Sequence, residues 1–160
     1  MAARSSAAMQ PAERELVITR VFDAPRELVW KAWTEPERMA RWWGPRGFNT
    51  PVCELDVRPG GAIRIVMRGP DGAEHPMTGV FREIVKPERL VFFSAALDEE
   101  GKPLFEGTNT VTFSEQGGKT TLTMVARVIK STPKAARNLD GMEIGWTQSL
   151  ERLTEYLARA

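Results

Sequence analysis

The amino-acid sequence predicts an α+β fold: a curved antiparallel sheet of about seven strands around a long C-terminal helix, with two short helices after the first strand. Three observations predict it. The stretch from Thr132 to Ala160 is the one long segment with an unbroken helical rhythm. Between Phe48 and Lys130, short runs rich in β-branched and aromatic residues alternate with turn signals, which is how consecutive hairpins read. Such a sheet carries an apolar face, and the C-terminal helix is the only element long enough to cover it.

The first element, Glu15 to Phe22, sets Leu16, Ile18, Arg20 and Phe22 against Val17, Thr19 and Val21, a period of two that marks a strand. Asp23 is placed to cap a short helix with Pro25 near its start and Leu28, Val29, Ala32 and Trp33 as its buried face; Trp30 lies off the centre of that stripe. Thr34 is placed to cap a second short helix, Pro36 to Arg41, which stops before the turn Trp42-Trp43-Gly44-Pro45. Six strands follow: Phe48 to Arg58, Ile63 to Arg68, Pro76 to Val85, Leu90 to Leu97, Phe105 to Glu115 and Lys119 to Lys130. Their connections carry turn chemistry, as in Pro59-Gly60-Gly61 and Gly69-Pro70-Asp71-Gly72. Alternation gives the inward rows Ile63, Ile65 and Met67; Met77, Gly79 and Phe81; Val111 and Phe113; and Leu122, Met124, Ala126 and Val128. A slip of one residue would exchange the faces of any row.

In the last element Ala135, Ala136, Leu139, Met142, Trp146, Leu150, Leu153 and Leu157 recur every three or four residues and form one stripe, with Gln148, Glu151, Arg152, Glu155 and Arg159 opposite. Thr132 as cap and Pro133 at the first helical position signal the start, and Asp140-Gly141 is a rival one. Gly141 and Gly145, one turn apart, mark either a close approach to the backbone or a tolerated weak spot.

Composition narrows the class. A chain of 160 residues suits one domain with a sizeable core, and residues 1–14 read as a flexible leader without the apolar run of a secretory signal. A formal charge of +1 gives no field to draw the chain onto nucleic acid or an anionic membrane, so neither partner is expected. No run approaches the ~20 apolar residues of a membrane helix, and a cytoplasmic location is expected. One cysteine and one histidine provide neither a disulfide framework nor a transition-metal cluster. No metal or other cofactor is expected, and stability should survive chelator and reductant.

Several motifs in order carry a resemblance: Val29-Trp30-Lys31-Ala32-Trp33-Thr34, Trp42-Trp43-Gly44-Pro45, Cys53-Glu54-Leu55-Asp56 with Gly60-Gly61, Met67-Arg68-Gly69-Pro70-Asp71-Gly72, and Gly141-Met142 with Gly145-Trp146-Thr147-Gln148-Ser149-Leu150. Over about Glu15 to Leu157 the chain resembles the C-terminal-domain family of the activator of heat-shock-protein-90 ATPase, a branch of the START-like, helix-grip (SRPBCC) superfamily. The resemblance implies that residues 15–160 form one helix-grip domain with a deep, mainly apolar cavity between sheet and helix. It implies no single reaction, because the superfamily includes lipid carriers, hormone receptors, polyketide cyclases and co-chaperones.

Motifs for chemistry are few. His75 beside Pro76 is the one histidine a nucleophilic triad could use, and Cys53 with His75 is the one nucleophilic pair; a lone strand cysteine is more often a small buried hydrophobe. Glu54 and Asp56 share a strand face, as paired acids do and as solvent-facing residues do. The glycine-rich turns open no helix and are not phosphate loops.

The positive signal is aromatic and sulfur-rich. Trp33, Trp43, Phe48, Met67, Met77, Phe81, Phe92, Met142 and Trp146 are the candidate lining of the cavity that the resemblance implies; taken singly each is more often ordinary core, and only the resemblance shifts the group towards a pocket. Either Trp42 or Trp43 is the inward indole. Glu143 falls near the apolar stripe, where it either orients a polar ligand group or reaches round to solvent.

Three function classes follow. The favoured one is a binding protein for a small hydrophobic or aromatic ligand. The second is a pocket enzyme of the polyketide cyclase or hydrolase kind, with Glu143, His75 or Arg64 handling protons. The third is a co-chaperone-like module stimulating a heat-shock ATPase, whose partner would be a chaperone; resemblance to the C-terminal domain alone weighs against it. Monomer and homodimer both fit. Trp146→Ala is expected to cost stability, and Trp43→Ala mainly ligand binding.

Overall fold

The computed structural model describes residues 14–159. Of the expected leader only Arg14 lies among them, and it already belongs to the fold. Its carbonyl accepts the Val128 N–H at 2.9 Å and its guanidinium meets Asp140 at 3.2 Å.

Seven strands form one sheet: β1 (Glu15–Phe22), β2 (Asn49–Leu55), β3 (Ala62–Arg68), β4 (Glu74–Val85), β5 (Arg89–Leu97), β6 (Pro103–Gln116) and β7 (Lys119–Ser131). Between β1 and β2 lie the helices α1 (Arg26–Thr34) and α2 (Pro36–Met39). After β7 come a 3-10 turn (Pro133–Ala135), α3 (Ala136–Asp140) and α4 (Met142–Arg159). The spatial order is β1-β7-β6-β5-β4-β3-β2, antiparallel throughout. Strands β2 to β7 follow one another as hairpins, and β1 closes onto β7 at the far edge with Ile18 opposite Met124.

The inward rows follow the alternation. Ile63, Ile65, Phe81, Val111, Phe113, Leu122, Met124, Ala126 and Val128 are buried, while Arg64, Thr78, Arg82, Thr121 and Arg127 between them are exposed. Burying one face and wetting the other gives each strand a single acceptable register. Gly79, Ser94 and Gly107 lie in register across β4, β5 and β6, with a bulge beside Gly107. A Cβ at Gly107 would sit 2.6 Å from the Arg127 carbonyl oxygen, and one at Gly79 would strike the Phe93 carbonyl oxygen. Glycine at two of these three positions lets the neighbouring strands approach closely there.

The helical starts differ from expectation. α1 begins after Pro25 with no side-chain cap from Asp23, and α2 begins after Glu35 rather than Thr34. The Thr34 hydroxyl instead donates to the Trp30 carbonyl one turn back, at 2.9 Å. The buried face of α1 is Val29, Trp30, Ala32 and Trp33; Trp30 is fully inside, edge-on to Phe113 at 5.3 Å, and Leu28 is only partly covered.

The C-terminal segment is not one helix. It breaks at Gly141, and the two sides of the break serve different cores. Ala135 and Leu139 pack with Val128 against Leu104, Phe105 and Met142, whereas Leu150, Leu153 and Leu157 join the main core of the sheet face. Thr132 precedes the first turn, but its hydroxyl donates to the Leu104 carbonyl at 3.0 Å rather than to its own helix. No helix among the described residues is long and apolar enough to cross a membrane.

Candidate functional site

The loop between α2 and β2 builds one wall of an apolar groove. Gly44 takes a positive φ of 99°, and a Cβ there would meet the Met67 sulfur at 3.0 Å, so glycine lets the loop lie against β3. Facing it is the face of α4 that the sequence marks as polar. The Arg152 guanidinium donates through Nη1 to the carbonyls of Trp43 at 3.2 Å, Gly44 at 2.9 Å and Pro45 at 3.1 Å, and through Nη2 to Arg41 at 3.4 Å. Gln148 accepts the Arg46 N–H at 3.1 Å, and the Arg46 side chain pairs with Glu155 at 2.7 Å. The row expected to face solvent therefore clamps this loop onto the helix. Pro45 lies over Gly145, whose missing side chain leaves the proline ring 3.7 Å from where a Cβ would stand.

Electrostatics follow from these pairings. The hydrogen bond from Arg46 holds the Glu155 carboxyl below the usual carboxylate range, and burial, with Arg46 adding to it, lowers Arg152 from its ordinary value. Cys53 on β2 is pushed up to about 11 by burial, with Glu37 and Glu54 adding to it, so its thiol stays protonated near neutral pH. It lies in register with Ile65 and Met77, whereas His75 stands two strands away opposite Met67, a separation of roughly 10 Å in the pairing direction alone. The pair cannot act as nucleophile and base.

The groove encloses about 320 Å3 between the loop, the ends of β3 to β6 and the start of α4. Six of the expected lining residues meet in it: Trp43, Phe48, Met67, Met77, Met142 and Trp146. Trp33, Phe81 and Phe92 do not. They are buried around a separate void of about 10 Å3, to which Trp43 and Met77 also contribute. Glu143 is exposed on α4 and reaches round to solvent, away from the groove. Leu97, Leu104 and Phe105, outside the expected lining, close the groove from the hairpin between β5 and β6. Phe105 begins the same period of two that runs on to Val111 and Phe113, and that was its one signal.

Tryptophan fills the space where a deep cavity was expected. Trp33 stacks on Trp146 at 6.1 Å and 9°, Trp42 lies 4.8 Å from Trp33, and Trp43 stands edge-on to Trp146 at 5.1 Å. Trp42 is fully inside, its Nε1–H donating to the Ala32 carbonyl at 2.9 Å, so of the adjacent indoles it is Trp43 that borders the groove. Trp43 is itself only 6% exposed, whereas Trp146 is half-buried. Trp146 stands in the wall, as expected of a lining residue, but Trp43, expected to act mainly in ligand binding, is the more deeply buried of the two and has only one edge on the groove. The Trp33 Nε1–H is buried with no protein acceptor, which costs about 1–3 kcal/mol.

Of the three residues considered for proton transfer, only His75 borders the groove. Arg64 is exposed on the outer face of the sheet beside Glu54, and Asp56 pairs with Arg58 at 2.8 Å. Among the described residues no cluster of histidine, cysteine and carboxylates is placed to hold a metal ion.

The family model described as activator of Hsp90 ATPase homolog 1-like protein matches residues 23–158. No curated protein sequence matches significantly. Among solved structures, a Nitrosomonas europaea protein is 30% identical over 92% of this chain and 96% of its own, with a TM-score of 0.77. A Chromobacterium violaceum protein is 29% identical over 92% and 98%, with a TM-score of 0.78. One from Arthrobacter aurescens is 26% identical over 95% and 90%, with a TM-score of 0.83.

Proposed function

Since the chain belongs to the activator of Hsp90 ATPase homologue 1-like family, we propose that it is a binding protein for a small hydrophobic or aromatic molecule, seated in the groove between α4, the 42–48 loop and the ends of β3 to β6. One observation carries the reading: a concave surface of about 320 Å3 whose walls are Trp43, Trp146, Phe105 and three methionines, with few polar groups among them. That volume lies at the small end of the range of roughly 300–1,000 Å3 for small-molecule sites. Indoles offer flat faces for stacking, and unbranched thioethers repack around ligands of different outline. Favouring binding over catalysis, Glu143 and Arg64 point away from the groove and His75 stands alone at its rim.

The test is displacement of anilinonaphthalene sulfonate by a panel of neutral aromatic and aliphatic compounds, paired with native mass spectrometry of the purified protein. Saturable displacement that Met142→Glu abolishes, with the fold intact by circular dichroism, is the expected outcome. Turnover of a panel compound would favour the pocket enzyme. Stimulation of a heat-shock ATPase without displacement would favour the chaperone module.

A further inference from the structure

The unpartnered indole N–H of Trp33 asks for an acceptor. It is the one buried side-chain nitrogen or oxygen among the described residues to which no protein group is bonded, and the ring that carries it is 1% exposed. Trp33 is among the residues that line the void of about 10 Å3, and Trp43 and Met77, which line both void and groove, stand between the two. Water would be a poor partner. The void has roughly the size of one water, yet the side chains around it, Met39, Ile65 and Phe81 among them, are apolar, and a buried water needs two to four polar partners.

We propose that the ligand of the groove carries a neutral carbonyl group, and that its oxygen reaches past Trp43 and Met77 to accept the Trp33 Nε1–H hydrogen bond. The inference rests on the reading of the groove as a ligand site and adds to it a chemical class: aryl ketones, esters and lactones rather than plain hydrocarbons or acids. A carboxylate is disfavoured because the void offers it one donor and no cation, and an ion transferred to such surroundings loses far more hydration than one hydrogen bond returns. The partition can open without backbone movement, since Met77 is half-buried and its unbranched side chain turns about three bonds.

Three compounds of matched outline test it: acetylnaphthalene, isopropylnaphthalene and naphthoate, each competing with anilinonaphthalene sulfonate on the parent protein and on Trp33→Phe. The ketone is expected to bind the parent roughly five- to tenfold tighter than the hydrocarbon, the value of one neutral hydrogen bond, and tighter than the acid. The preference should vanish in Trp33→Phe. Independently of that variant's folding, the Trp33 indole N–H resonance, assigned by connectivity in the labelled parent, should move downfield with the ketone and not with the hydrocarbon. Equal binding of ketone and hydrocarbon with that resonance unmoved overturns the inference and leaves the groove reading standing. A ketone preference that persists in Trp33→Phe overturns it as well. If none of the three displaces the probe, the groove reading falls and the inference falls with it.

Discussion

Replacing Trp43 by alanine should destabilise this protein more than replacing Trp146, although Trp146 is the residue on the long apolar stripe. Trp43 is 6% exposed and touches three other indoles, with centroids 6.3 Å from Trp33, 5.7 Å from Trp42 and 5.1 Å from Trp146. Truncating a buried tryptophan removes its transfer energy and leaves a cavity that rigid neighbours cannot close, about 3–5 kcal/mol together. Trp146 is half-buried with a face already on the groove, so its truncation should cost about 2–3 kcal/mol. For a domain of this length each kcal/mol moves Tm by about 3 °C, so Trp43→Ala should lower Tm by about 9–15 °C and Trp146→Ala by about 6–9 °C. Reversible thermal melting by circular dichroism separates the two, and probe titration of Trp146→Ala should show weakened binding despite the smaller loss of stability. If Trp146→Ala melts as low as Trp43→Ala, the groove wall is core and the assignment is wrong.

Further outcomes follow from the same contacts. Arg152→Lys should destabilise by about 1–3 kcal/mol in urea unfolding, because one ammonium cannot replace a planar fork that reaches the carbonyls of Arg41, Trp43, Gly44 and Pro45; parental stability would show that the clamp is dispensable. Cys53 binds its proton more tightly folded than unfolded, so its contribution is fully present below pH 9.0 and is lost as pH rises towards about 11. Melting across that window should fall less steeply in Cys53→Ala, and iodoacetamide should label the native thiol slowly at pH 8. Gly145→Ala should raise stability by roughly 0.5–1 kcal/mol through helix propensity, since the new methyl would meet Pro45 at an ordinary 3.7 Å; a loss would reveal a tighter contact than the geometry indicates.

Local chemistry made most of the fold legible before any coordinates. Period-two rows such as Leu122, Met124, Ala126 and Val128 and turns such as Gly69-Pro70-Asp71-Gly72 depend on neighbours in the chain, so seven strands, two short helices and a C-terminal helical segment could be read from residue order, along with the inward face of each row. Six of ten candidate lining residues meet in the groove for the same reason, because large apolar side chains on one face of adjacent elements share a surface. What depends on distant partners was not legible. Helical periodicity marks Arg152 as polar but does not say that the carbonyls of residues 41–45 await it, and it passes through Gly141 although Leu139 and Leu150 belong to different cores. Whether the interior is hollow is decided by how closely Trp33, Trp42, Trp43 and Trp146 pack. That is a matter of volumes brought from three separate segments, and only the tertiary structure brings them together.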